Sequence, residues 1–218
     1  MHLLVFPVYS LSVVFTVFMY PHFYVIIDFE CTCWEKRSER PHEIIEFPAI
    51  VMNSLTLEIE YEFHRFVRPT EEPYLSDYCT DLTGIEQCDV DCADDLSYVL
   101  DEFSDFLEEN GVRNFTVCTD GPWDFSKFLY PESQRKNIDY PYWAIHWLDI
   151  RRRFQRSFRL DKWYNIDRML DALGMVFQGR PHSGIDDARN IARITRAVHL
   201  HDKINGKMRP NRHIRERY

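Results

Sequence analysis

From Leu3 to Tyr20 the chain carries no charge, and Leu3, Leu4, Val5, Phe6, Val13, Val14, Phe15, Val17 and Phe18 make this stretch strongly apolar. A run of about eighteen residues is the minimum for a spanning helix, and Pro7, Tyr9, Ser10, Ser12 and Thr16 weaken this one. No basic residue precedes it, and Phe18-Met19-Tyr20 is bulky where a cleaved leader needs small residues. Three readings stay open: an extension outside the working protein with Met19 as an alternative start, a membrane segment, or an added strand. Residues 1–20 are therefore set apart as an apolar extension, ahead of one domain over 21–202 and a basic, aperiodic tail over 203–218.

Within the domain the pattern changes period. Tyr24-Val-Ile-Ile-Asp28 is β-branched and continuously apolar, which predicts a central buried strand. Residues 47–52 and 57–67 predict two more. In the second, Ile59, Tyr61, Phe63 and Arg65 alternate with Glu58, Glu60, Glu62 and His64, so it should be a half-exposed antiparallel partner joined through a turn at Asn53-Ser54. Over 94–109, Leu96, Val99, Leu100, Phe103, Phe106 and Leu107 recur at helical spacing opposite an acidic face, and Asn110-Gly111 ends the helix. A strand over 115–118, a helix from Trp123, a short strand over 147–150, and helices over about 163–173 and 186–199 follow. Early antiparallel strands followed by strand–helix alternation predict an α/β fold, a mixed sheet flanked by helices.

Composition narrows the class. The length, 218 residues, suits one ordinary domain with extensions, and 45% hydrophobic residues suffice for a core without staples. With 35 acidic against 26 basic side chains the formal charge is −9, which argues against a protein that coats nucleic acid by charge alone. Cys31, Cys33, Cys79, Cys88, Cys92 and Cys118 lack zinc-type spacing, and are expected to be reduced thiols of a cytoplasmic or nuclear protein. Arg151, Arg152, Arg153, Arg156, Arg159 and Lys162 form the densest basic stretch, either a solvated helix or loop or a contact that tracks a nucleic-acid strand.

The candidate chemistry lies in acids at the ends of core elements. Asp28 and Glu30 flank Phe29, so a period of two turns both acids to one face. At about 4 Å and an effective dielectric near 20, like charges repel by about 4 kcal/mol, so the pair is either splayed into solvent or joined by a cation. Asp124 stands near a helix start, where it could serve the helix dipole alone. Asp186 and Asp187 open the last helix, where either could serve as a cap. His182 precedes Asp187 by five residues with Gly184 between, which places the histidine on a loop and the aspartate on a helix. An imidazole near pH 6.5 there suits general-base work, though a loop histidine is also commonly inert.

Taken in order, Asp28-Phe-Glu30, Trp123-Asp124-Phe-Ser-Lys-Phe128 and His182-Ser-Gly-Ile-Asp-Asp187 resemble the three exonuclease motifs of the DEDDh superfamily. The longer strings Asp28-Phe-Glu-Cys-Thr-Cys33, His42-Glu-Ile-Ile-Glu-Phe-Pro48, Leu82-Thr-Gly-Ile85 and Gly179-Arg-Pro-His-Ser-Gly-Ile-Asp-Asp187 are similar to the histone-mRNA 3′-exonuclease and enhanced-RNAi nuclease branch, prion-interactor-type paralogs included. The resemblance covers residues 22–200.

It implies a ribonuclease-H-like fold, antiparallel in its first three strands and then parallel, and a 3′→5′ exoribonuclease that releases nucleoside 5′-monophosphates from RNA 3′ ends. Asp28, Glu30, Asp124 and Asp187 then match the metal ligands and His182 the general base. Glu30, Phe29, Tyr78, Thr83, Trp123 and His182 match substrate contacts, with Tyr78 and Trp123 as stacking rings unless they pack in the core. Oxygen donors imply two Mg²⁺ ions, replaceable by Mn²⁺. The pocket is expected to hold no protein cation. Asp120 stands where many relatives have Asn and is not counted as a ligand, and Gly184 replaces a common Ala, a small-for-small change expected to be harmless. A DNA 3′ end is the alternative substrate, a non-catalytic binding module the alternative class, and membrane contact would need residues 3–20.

Overall fold

The structure is a computed structural model that describes residues 23–36 and 40–205. The apolar run 3–20 and the tail from residue 206 lie outside these residues. The strands are β1 (Phe23–Ile27), β2 (Glu30–Cys31), β3 (Ile44–Asn53), β4 (Ile59–Phe66), β5 (Phe115–Thr119) and β6 (Trp147–Asp149). β3 takes β4 on one edge and β1 on the other, both antiparallel, from Phe23↔Asn53 to Ile27↔Ala49. β2 resumes the pairing with β3 after an irregular register at Glu30 and Cys31. β5 then joins β1 in parallel, and β6 joins β5 likewise. The mixed sheet expected from the strand order is present.

Successive residues of β1 feed different cores. Val25 and Ile27 pack with Phe47, Phe103 and Phe125 beneath α3 (Leu96–Glu109), whereas Tyr24 and Ile26 pack with residues of α5 (Ile150–Phe158), α6 (Ile166–Ala172) and α7 (Gly184–Ile204). Both faces are therefore covered, which is why the strand is apolar throughout. The same alternation carries Phe29 into the α3 core and turns Asp28 toward α7.

Two short helices escaped the sequence pattern, α1 (Asp77–Thr83) and α2 (Gln87–Asp91). Each is too short to show a period, and each is set by its ends: Ser76 Oγ accepts the Cys79 amide, and Gly84 closes α1 in the left-handed region. The helix expected from Trp123 begins as a π-helical stretch, Asp124–Leu129, that runs into α4 (Tyr130–Lys136). The arginine-rich stretch is largely helix: α5 buries Ile150, Phe154 and Ser157, leaves Arg156 exposed, and turns half-buried Arg151 and Arg153 onto the buried acids Asp120 and Asp202. The helix predicted from residue 163 starts at Ile166, where Asn165 caps the Arg168 amide. α7 starts two residues earlier than predicted and ends at Ile204, so the tail expected from 203 begins beyond the helix. All six cysteines are free thiols. Among the described residues no helix is long and apolar enough to cross a membrane.

Candidate active site

Four elements deliver the acids. Asp28 follows β1, Glu30 lies in β2, Asp124 opens the π-helical stretch, and Asp187 sits in the first turn of α7. Two backbone amides fix their orientation: Phe29 N donates to Asp124 Oδ1 at 2.8 Å, and His182 N donates to Asp187 Oδ2 at 2.8 Å. Carboxylate oxygens of Glu30 and Asp187 and a ring nitrogen of His182 lie within 4.8 Å of one another. Glu30, His182 and Asp187 thus converge, and Asp28 lies near enough to feel the charges of Asp124, Asp187 and Glu30.

His182 has φ +63°, a left-handed conformation uncommon for a residue with a side chain. Its loop is held against that strain from both sides. Asp186 accepts the Arg180 amide, the Arg180 guanidinium donates to the Asp81 carbonyl of α1, and Asp187 takes the His182 amide. Asp186 is a loop anchor, paired also with Arg189, whereas Asp187 faces the pocket.

The electrostatics show what the pocket lacks. Burial, reinforced by Asp124, Asp187, Glu30 and Asp120, raises Asp28 well above the ordinary carboxylate range. Burial and the neighbouring Glu46 and Asp187 push Glu30 up to about 9. Asp124 and Asp187 rise to about 7, mainly by burial, despite their amide donors. Among the described residues no lysine or arginine pairs with any of these acids. Such a set is costly as bare anions and is satisfied by divalent cations, and its hard oxygens with one imidazole fit Mg²⁺ or Mn²⁺.

A protein cation nevertheless stands beside the pocket, contrary to the expectation of none. Arg151, in the first turn of α5, grips Asp120 with Nε to Oδ1 at 3.1 Å and Nη2 to Oδ2. Asp120 is thereby engaged elsewhere, consistent with leaving it out of the ligand set.

Glu46 was missed by the sequence reading. It lies on β3 opposite Glu30, is almost fully buried, and accepts the amides of Gly184 and Ile185 at 2.9 and 3.1 Å while also bonding His64. Ser183 makes no side-chain cap, so Glu46 caps α7 from the sheet, which explains the early helix start. The only sequence signal was an acid in an otherwise apolar strand. Gly184 is tighter than a small-for-small exchange suggests: a β-carbon there would stand 2.7 Å from the Asp28 carbonyl oxygen.

The remaining predicted contacts divide. Tyr78 and Trp123 are 42% and 51% exposed, so the core-packing alternative fails for both. Thr83 is buried, its hydroxyl donating to the Cys79 carbonyl and accepting from the Ile85 amide. The Phe29 side chain is core, edge-on to Phe47 and Phe125, so the residue has only backbone to offer a ligand.

Comparison with known proteins agrees with the fold. An exonuclease family model (RNase_T) covers residues 25–195. The chain is 44% identical over 180 residues to 3′-5′ exoribonuclease 1 of Homo sapiens, covering 80% of this chain and 52% of that protein. It is 41% identical over 192 residues to the 3′-5′ exonuclease Snipper of Drosophila melanogaster, covering 79% and 68%. The chain thus spans about half the length of the human relative. Among solved structures, the nuclease domain of 3′hExo, a DEDDh family member bound to rAMP, superposes with TM-score 0.81 at 39% identity, covering 89% of this chain and 98% of that one. A 3′-exonuclease recognising the 3′ end of a histone mRNA stem-loop gives TM-score 0.79 at 41% identity, covering 84% and 83%.

Proposed function

Because the chain belongs to the RNase_T exonuclease family, a metal-dependent one, we propose that it is a 3′→5′ exoribonuclease that releases nucleoside 5′-monophosphates from RNA 3′ ends. The observation that carries this reading is the convergence of Asp28, Glu30, Asp124, Asp187 and His182, where among the described residues no lysine or arginine pairs with any of the four acids. Asp28, Glu30, Asp124 and Asp187 would hold two divalent cations, Mg²⁺ or Mn²⁺, which when bound neutralise the phosphate and ease ionisation of the attacking water.

His182 receives the proton. A ring nitrogen lies within 4.8 Å of oxygens of Glu30 and Asp187, and its exposure lets it return that proton to solvent after each cleavage. Exposed Tyr78 and Trp123 offer flat faces for the terminal bases, a sequence-tolerant contact worth roughly 1–3 kcal/mol per base. The names of the relatives favour RNA over DNA as the strand.

The test is incubation of the protein with 5′-end- and 3′-end-labelled RNA, and with matched DNA, with and without Mg²⁺. A stepwise ladder from the 5′ label and mononucleotide from the 3′ label, both metal-dependent, are expected. Asp28→Asn should abolish both, and wild-type turnover in that variant would remove the metal-site assignment. His182→Ala should lower turnover roughly 100- to 10,000-fold, whereas a loss below tenfold would demote the histidine to a positioning role.

A further inference from the structure

Asp120 is a fifth acid that the proposed mechanism does not use. It lies in the turn after β5, four positions before Asp124, is only 8% exposed, and adds to the repulsion felt by Asp28, Asp124 and Asp187. Its two oxygens are both turned to the Arg151 fork, with Nε on Oδ1 and Nη2 on Oδ2. The guanidinium charge is also felt at Asp28 and Asp124. A planar bidentate fork fixes a carboxylate in orientation as well as in charge, which a lysine does not.

We propose that Arg151 is a positioning residue that withholds Asp120 from the acid pocket, so that the pocket presents four carboxylates rather than five to its cations. α5 supplies the arginine from its first turn, where its backbone is fixed by the Asp149 cap on the Arg152 amide. The pair is internally neutral, so the pocket's net charge is that of its four ligands. Removing one member leaves an uncompensated charge of known sign beside the cations. Without Arg151, Asp120 becomes a fifth anion free to turn inward. Without Asp120, Arg151 becomes a bare cation facing the same space. The two losses therefore act in opposite directions on divalent-ion binding, and their combination cancels. A residue that merely supports the fold would push both variants the same way.

This inference rests on the metal-site reading, and calorimetric Mn²⁺ titration of the full chain separates the two. R151Q should bind Mn²⁺ about tenfold more tightly than wild type and D120N about tenfold more weakly, as expected for one charge gained or lost nearby. D120N/R151Q should return to within about threefold of wild type, and R151K, which keeps the charge but loses the fork, should fall between wild type and R151Q. Metal affinities of R151Q and D120N that move in the same direction, or a double variant that does not return, would overturn the role of Arg151. If wild-type protein takes up no Mn²⁺ at millimolar concentration, the metal-site reading and this inference fall together, whereas normal wild-type binding with unsplit variants removes this inference alone.

Discussion

Glu30 is held protonated up to about pH 9, and Asp124 and Asp187 up to about 7, because burial strips their carboxylates of water and places like charges beside them. In the unfolded chain the same groups titrate near 4. Between the two values the folded state binds more protons than the unfolded one, so stability falls as pH rises through that window. In chelator the melting temperature should therefore drop progressively from about pH 5 to pH 9. Millimolar Mn²⁺ should largely abolish the drop, since a ligand of the folded state alone stabilises it. Thermal melts across that range check both halves, and a flat profile in chelator would remove the charge argument. These acids were legible in the sequence because three short motifs carry them with their flanking residues. Arg151 was not, because one of five arginines in a short basic stretch gives no sign of which acid it meets.

At the scale of elements, the pocket depends on how closely α7 seats against the end of β1. Gly184 permits the approach, with room for no methyl between it and the Asp28 carbonyl, and Glu46 holds the helix there by its first amides. Gly184→Ala should force α7 outward, lowering stability by roughly 1–3 kcal/mol and activity more than proportionally. Urea unfolding beside a nuclease assay measures both, and an unperturbed variant would mean the helix has slack. The longer strands and long helices were legible because each repeats its apolar pattern over several residues, whereas β2, two residues long, has no room for one. α5 was concealed, since Ile150 and Phe154 are the only fully buried apolar positions among its arginines, and helix capping across the sheet by Glu46 leaves no local trace. Tyr78 and Trp123 could not be assigned from sequence either, because an aromatic beside a motif has the same letter in a core as on a surface.

At the scale of the whole molecule, a chain with formal charge −9 is not built to gather polyanion by long-range attraction. If cations in the pocket and stacking on exposed rings supply most of the affinity, few counterions are released on binding. RNA affinity should then fall by less than about tenfold between 50 and 200 mM salt, against roughly 10³ or more for a protein making six or more phosphate contacts. Titration of a labelled, cleavage-resistant RNA reads that slope, and a steep one would return the basic stretch 151–162 to the binding surface. α5 and α7 also constrain the molecule together. α5 is tied in its first turn by Arg151 to Asp120 and further along by Arg153 and Ser157 to Asp202, while α7 carries both Asp187 and that same Asp202, roughly 22 Å apart. The two helices and the sheet form a closed triangle, a truss whose corners are ion pairs and a carboxylate cap. Three ties in a closed ring resist hinging, so the walls of the pocket should keep their spacing, and the His182 loop, itself anchored through Arg180, Asp186 and Asp187, shares that constraint.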